Sequence, residues 1–212
     1  MTRTVTRLFD SQNEARQAVS ELEQSRLGHA DISLIANNSG ASGEDRSFAP
    51  RDDDRGHEAA EGAAEGAGTG ATLGGVVGGG AGLLAGLGML AIPGIGPVAA
   101  AGWLTSTLIG AGAGAAAGGV TGGLIGALTN AGVSEDDAHV YAEGVRRGGA
   151  LVAVRVDEEY ADQAEQILSR FGGSDASSRG GAYRESGWSR FDESAQPYTS
   201  EQISQERGFY QR

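Results

Sequence analysis

The 212-residue sequence predicts an α+β fold in which one small domain is made in two halves, separated by a long insertion. Three observations predict it. Residues 66–134 contain no Asp, Glu, Lys, Arg or His, whereas the stretches on either side are densely charged. Strand-like and helix-like hydrophobic periods occur in those flanks. Neither flank is large enough to fold by itself, because chains below ~40 residues rarely do so without disulfides or metals, so the two must pair.

The elements follow in order. In "TVTRLF" (4–9), Val5 and Phe9 alternate with polar neighbours, as in a half-buried strand. Ser11 and Glu14 make a capping pair, and Ala15, Ala18, Val19 and Leu22 then form one helical face. Gly28 suits the helix stop, and "DISLIA" (31–36) reads as a second strand. After the insertion, Ser134 and Asp137 cap another helix, with Glu135, Asp136 and Asp137 at its positive end. Its apolar stripe is Ala138, Tyr141, Ala142 and Val145, and "RRGG" (146–149) ends it. "ALVAVRV" (150–156) is the strongest strand, and Asp157 is placed to cap a last helix faced by Tyr160, Ala164, Ile167, Leu168 and Phe171. Together these predict a ferredoxin-like split βαβ…αβα domain, with its first half at 1–38 and its second at 133–172. Residues 39–65 read as a polar linker and helix start. Residues 173–212 show no sustained period and read as a disordered tail.

The insertion, 66–132, has a spacing of its own. Gly62, Gly66, Gly70, Gly74, Gly78, Gly82 and Gly86 recur every fourth residue, and Gly110, Gly114, Gly118, Gly122 and Gly126 repeat the pattern. Residues four apart stack on one helix face, so each series predicts a bare groove for close backbone packing. In water each glycine weakens a helix by ~1 kcal/mol relative to alanine. In lipid an unpaired backbone group costs more than that, so helix formation is nearly compulsory. Uncharged spans at 71–92 and 98–128 exceed the ~20 residues that cross a bilayer. Pro93, Gly94, Gly96 and Pro97 lie between them and predict the turn of a transmembrane glycine-zipper hairpin. Two crossings leave both domain halves on one side. Arg51, Arg55, Arg146 and Arg147 assign that side to the cytoplasm, at the inner membrane. The alternative is a cytoplasmic assembly in which the zipper faces bury against other copies; both readings predict homo-oligomers.

Composition narrows the chemistry. The net charge of −12 argues against nucleic acid as a partner. All sixteen basic residues are arginine, so no phosphate-loop lysine or Schiff base is available. No cysteine is present, which removes thiolate chemistry and cysteine metal sites. The start, "MTRTVTRLFDSQNEA", lacks the apolar core of a secretory signal.

"IPGIGPVAAAG" (92–102) and "GVSEDDAHVYAEGVRRGGALVAVRV" (132–156), with "ISLIAN" (32–37), resemble a bacterial family of general stress proteins described as heat-induced or low-temperature-induced. The resemblance spans roughly residues 1–172. It implies a small α/β domain interrupted by a glycine-zipper hairpin, and a stress-associated, membrane-associated role with no well-established enzymatic activity.

Candidate sites are few. "DDDRGHEAAE" (52–61) gathers oxygen ligands and His57, but its spacing matches no EF-hand loop. "SEDDAH" (134–139) brings Glu135, Asp136, Asp137 and His139 together, though capping explains the acids. "GTGATLGG" (68–75) resembles a dinucleotide loop without the preceding strand or the later acid. His29, His57 and His139 lie on separate elements, and no G-x-S-x-G elbow occurs. No catalytic, cofactor-binding or metal-binding residue is assigned; the expectation is a non-enzymatic membrane-anchored stress protein that self-associates. The alternative is a soluble homo-oligomeric interaction or sensor module whose α/β domain takes a small ligand.

Overall fold

The computed structural model describes residues 2–25, 27, 30–39, 88–108 and 123–210. Five strands form one antiparallel sheet in the order β1-β5-β2-β4-β3. They are β1 (Thr2–Phe9), β2 (Asp31–Asn37), β3 (Gly88–Ile92), β4 (Gly96–Ala101) and β5 (Ala150–Asp157). β1 pairs with β5 from Thr2↔Asp157 to Phe9↔Ala150, and β2 pairs with the other edge of β5 from Asp31↔Arg155 to Ala36↔Ala150. β1 and β2 therefore run parallel with β5 reversed between them, a split βαβ unit.

The named helices that accompany the strands are α1 (Gln12–Gln24), α2 (Leu124–Asn130), α3 (Glu135–Arg146), α4 (Ala161–Arg170), α5 (Ala176–Glu185) and α6 (Ser200–Tyr210), and residues 103–108 are helical as well. The caps foreseen from the residues form. Ser11 Oγ accepts from the Glu14 amide and Ser134 Oγ from the Asp137 amide, each stabilising its helix by ~1 kcal/mol. Asp157 makes no side-chain cap; a 3-10 turn, Glu158–Tyr160, precedes α4 instead.

Strand alternation sorts the core into two layers. Val5 and Phe9 of β1, Leu34 and Ala36 of β2, and Ala150, Val152, Val154 and Val156 of β5 face α1 and α4, which contribute Ala15, Ala18, Val19, Leu22, Ala161, Ala164, Ile167 and Leu168. The opposite face carries Leu8, Ile35, Leu151 and Ala153, covered by α3 with Leu104, Leu124, Leu128, Tyr183 and Phe191. Both faces of the sheet are thus clad in helix. Beyond α4, Ser174 makes one antiparallel bridge to Leu8 on the free edge of β1.

The glycine-rich hairpin takes a different form from the one its length predicts. The chain does reverse at 93–95, where Gly94 and Gly96 adopt φ of 73° and 95°. It reverses between strands, however, because β3 and β4 pair from Gly88↔Ala100 to Ile92↔Gly96 and β4 pairs with β2. Spans 71–92 and 98–128 are therefore not two continuous helices. The four-residue glycine series itself marks the interval, stopping at Gly86 and resuming at Gly110. Among the described residues no helix is long and apolar enough to cross a membrane. Gly62, Gly66, Gly70, Gly74, Gly78, Gly82, Gly86, Gly110, Gly114, Gly118 and Gly122 lie outside the described residues. Gly126 falls in α2, where Leu124, Ile125, Ala127 and Leu128 are buried within the domain.

The disordered tail is also corrected. Residues 173–210 contain α5 and α6 and bury Ala176, Tyr183, Phe191 and Ile203. These apolar residues are too far apart to create a period; Ala176, Tyr183 and Phe191 join the core of the second face, and Ile203 packs over Gly148.

Candidate functional site

α3 has the sequence of an amphipathic helix with one wet side, but every residue from Ala138 to Val145 is buried. Its apolar stripe meets the sheet, and Tyr141 donates its hydroxyl to the Thr6 carbonyl at 2.9 Å. Burial pushes that phenol up to about 12. Val140 meets α5, where a methyl on Gly180 would sit 2.9 Å from its Cγ2. The remaining stripe is polar: Glu135, His139, Glu143 and Arg146, at i, i+4, i+8 and i+11, stack along one side.

Residues 188–206 form a strap whose contacts run along that stripe, from Glu135, which stays largely exposed, to Arg146. At one end Arg190 pairs with Glu135. At the other, Arg146 donates from Nη2 to the Gln196 carbonyl at 3.2 Å and lies 4.7 Å from the centre of the Tyr198 ring. Between them the Glu143 side chain is 1% exposed. It accepts from Arg147 Nε at 2.8 Å on one oxygen and from Arg146 Nη1 at 3.3 Å on the other. Arg147 continues to Glu206 at 3.1 Å and stacks 4.4 Å from the Tyr183 ring centre. Burial works against the Arg147 charge, but Glu143 and then Glu206 outweigh it, so its pKa lies above the ordinary arginine value.

The same strap covers the β3–β4 turn. A Cβ on Gly94 would sit 2.9 Å from the Asp192 carbonyl, and one on Gly96 3.0 Å from Pro197. Gly148, at φ 96°, leaves the hollow that takes Ile203; a Cβ there would lie 2.3 Å from Ile203 Cγ2. Ser200 Oγ donates to the Ser39 carbonyl at 3.0 Å, which places α6 against the last described residue before the 40–87 segment. Inside this end of the sheet, Gln12 donates to the Asn37 carbonyl and Asn37 to that of Val145, tying α1, β2 and α3.

His139 is the member of the stripe without a hydrogen bond. Its side chain is 9% exposed, and both Nδ1 and Nε2 are buried and unpaired, with Glu135 Oε1 3.8 Å from Nε2. Burial pushes the imidazole below its ordinary value and Arg190 adds to the effect, against opposing contributions from Glu135 and Asp136.

Of the residues singled out in the sequence, Glu135 and His139 are brought together, Asp137 is the capped amide, and Pro93, Gly94, Gly96 and Pro97 lie at the β3–β4 turn, where Gly94 and Gly96 meet the strap. "DDDRGHEAAE", "GTGATLGG", His29 and His57 lie outside the described residues. Among the described residues no group of His, Asp and Glu has the spacing to hold a metal ion. A depression lined by Asp162, Glu165, Gln166 and Ser169 on α4 is shallow and open to solvent. Glu143 is not among the residues singled out in the sequence; the i, i+4, i+8 spacing of Glu135, His139 and Glu143 is the signal that could have found it, whereas the strap carries no period. No family model matches the sequence, and no curated protein and no solved structure matches it.

Proposed function

We propose that this chain is a non-enzymatic structural protein that self-associates through its glycine series, in the stress-associated setting that the sequence resemblance implies. The folded core, read as ferredoxin-like with an added helical layer, holds the insertion's ends in place. The observation that carries the reading is the β3–β4 hairpin inside the sheet. It divides the uncharged run into two separate segments, each leaving and rejoining the same domain. A segment with both ends on one sheet crosses a bilayer an even number of times or not at all. Residues 66–87 supply the ~20 needed for one crossing, and 109–122 fewer than one. That arithmetic favours contact between copies over a spanning hairpin. The recurrence of glycine at every fourth position of 62–86 supports this reading, because small residues at that spacing favour close packing of one helix backbone against another.

A second reading, attachment to the inner membrane through 66–87, is favoured by the length and neutrality of that segment alone. Two measurements separate them. Self-association predicts detergent-free oligomers by sedimentation, reduced to smaller species when Gly78 and Gly118 are replaced by leucine. Membrane attachment predicts that the chain stays in the pellet through alkaline carbonate extraction. Oligomer size unchanged in Gly78→Leu/Gly118→Leu would refute the groove as the contact surface.

A further inference from the structure

We propose that residues 188–206 form a pH-sensitive strap, released when His139 beneath it takes up a proton. The geometry centres on one oxygen. Glu135 Oε1 holds Arg190, which anchors the strap, and is also the atom nearest His139 Nε2, at 3.8 Å. With the imidazole neutral, Arg190 has that oxygen to itself. A protonated imidazole is a second cation drawn to the same carboxylate, whose pair with Arg190 is itself exposed, 64% on the Glu135 side and 61% on the Arg190 side, and is therefore weakly held. The two cations repel each other, and the one on the exposed strap is free to leave while the one on α3 is not.

The charged groups facing His139 come from α3, the strap and α5. From α3 itself, Glu135 and Asp136 act on His139; from the strap, Arg190 does so. α2 (LIGALTN), packed on the same helix, carries no charge; on α5 Arg179 is paired with Asp10 at 2.7 Å, and Arg184 lies beside Gly180 where that helix meets Val140, adding a further positive charge on this side. Two unpaired nitrogens in a buried ring are costly for the charged form, since each N–H of an imidazolium needs an acceptor. Opening the strap restores water to both. The other anchors of 188–206 lie toward its far end, at Arg146–Gln196, Arg147–Glu206, Ser200–Ser39 and the Ile203 hollow, so release begins at the Arg190 end and the buried Phe191 beside it.

The sign follows from linkage. The imidazole of the closed form binds its proton less readily than an open one, so open molecules hold more protons and the closed strap weakens as pH falls below ~6.5. The weakening continues until the closed form also protonates. Release would uncover the β3–β4 turn and break the Ser200–Ser39 contact beside the exit of the 40–87 segment.

The test is amide hydrogen exchange of 188–206 in the full chain, corrected for intrinsic rates, between pH ~7.5 and ~5. The opening constant of the strap is expected to rise by up to ~10-fold per pH unit below ~6.5, while α1 and α4 amides keep their protection. His139→Gln, which cannot titrate, should remove the pH dependence. An NMR titration of the unmodified chain should show His139 and the strap amides moving together, at a pH below that of an ordinary histidine. A strap whose protection does not change with pH, or the same slope in His139→Gln, overturns the proposal. So does a His139 that titrates while the strap amides stay unmoved.

Discussion

Replacing Glu143 with glutamine is the most incisive perturbation of the strap's seat, because it preserves shape and removes one charge. The glutamate side chain is 1% exposed and each oxygen serves a different guanidinium. In the variant one oxygen becomes an amide NH2 facing a donor, so either Arg146 or Arg147 loses its acceptor. Attraction between unit charges about 4 Å apart is ~4 kcal/mol at the effective dielectric of such sites. Breaking a buried pair from one side typically costs 3–5 kcal/mol. Arg147 retains Glu206 and the Tyr183 ring, and the Arg146 side chain is 15% exposed. Allowing for those, the loss should be ~2–3 kcal/mol of a total that is usually 5–15 kcal/mol. Urea unfolding followed by far-UV circular dichroism measures it as a lower midpoint at unchanged slope. Glu206→Gln, on the more exposed partner, should lose no more than ~1 kcal/mol. A Glu143→Gln loss below ~0.5 kcal/mol would mean that water already solvates both arginines, and would refute the account of how the strap is seated.

Two further outcomes are expected. Ile203→Ala empties the hollow over Gly148 and should weaken the closed strap by ~2 kcal/mol, read as roughly 30-fold faster chymotryptic cleavage at Tyr198 because cleavage tracks the open population. Tyr141, raised to about 12 when folded, binds its proton more tightly in the native state than in the unfolded chain. Its contribution to stability is present below pH ~10 and is lost as pH rises toward ~12, on the order of 2 kcal/mol in all, and Tyr141→Phe should flatten that alkaline decline.

The parts of the fold legible in the sequence are those where a periodic apolar pattern coincides with a cap or a breaker. Ser11 with the Ala15–Leu22 stripe, Ser134 with the Ala138–Val145 stripe, and the run 150–156 announce α1, α3 and β5 in this way. β3 and β4 were hidden because Gly, Ala and Ile in an uncharged setting fit a helix as well as a strand when only length and apolarity are weighed. Pro93 and Pro97 bracketing two glycines, between apolar runs of five and six residues, is equally the signature of a β-hairpin. The strap was illegible for a different reason. Its anchors, Phe191, Tyr198 and Ile203, are single side chains in hydrophilic surroundings, each inserted into a gap that exists only once α3, Gly94 and Gly148 are in place. Local pattern cannot encode such contacts. The buried state of Glu143 and His139 followed from the same omission, since without the strap both would face solvent.

The position of β5 between β1 and β2 also bears on how the protein is made. Leu34 hydrogen-bonds alongside Val152, so the first three elements to leave the ribosome wait for a neighbour synthesised roughly 120 residues later. At ordinary translation speeds that interval is roughly 6–24 s. Throughout it two nascent strands carry open edges next to an emerging stretch of bare glycine and alanine, and a holding chaperone would find its client there.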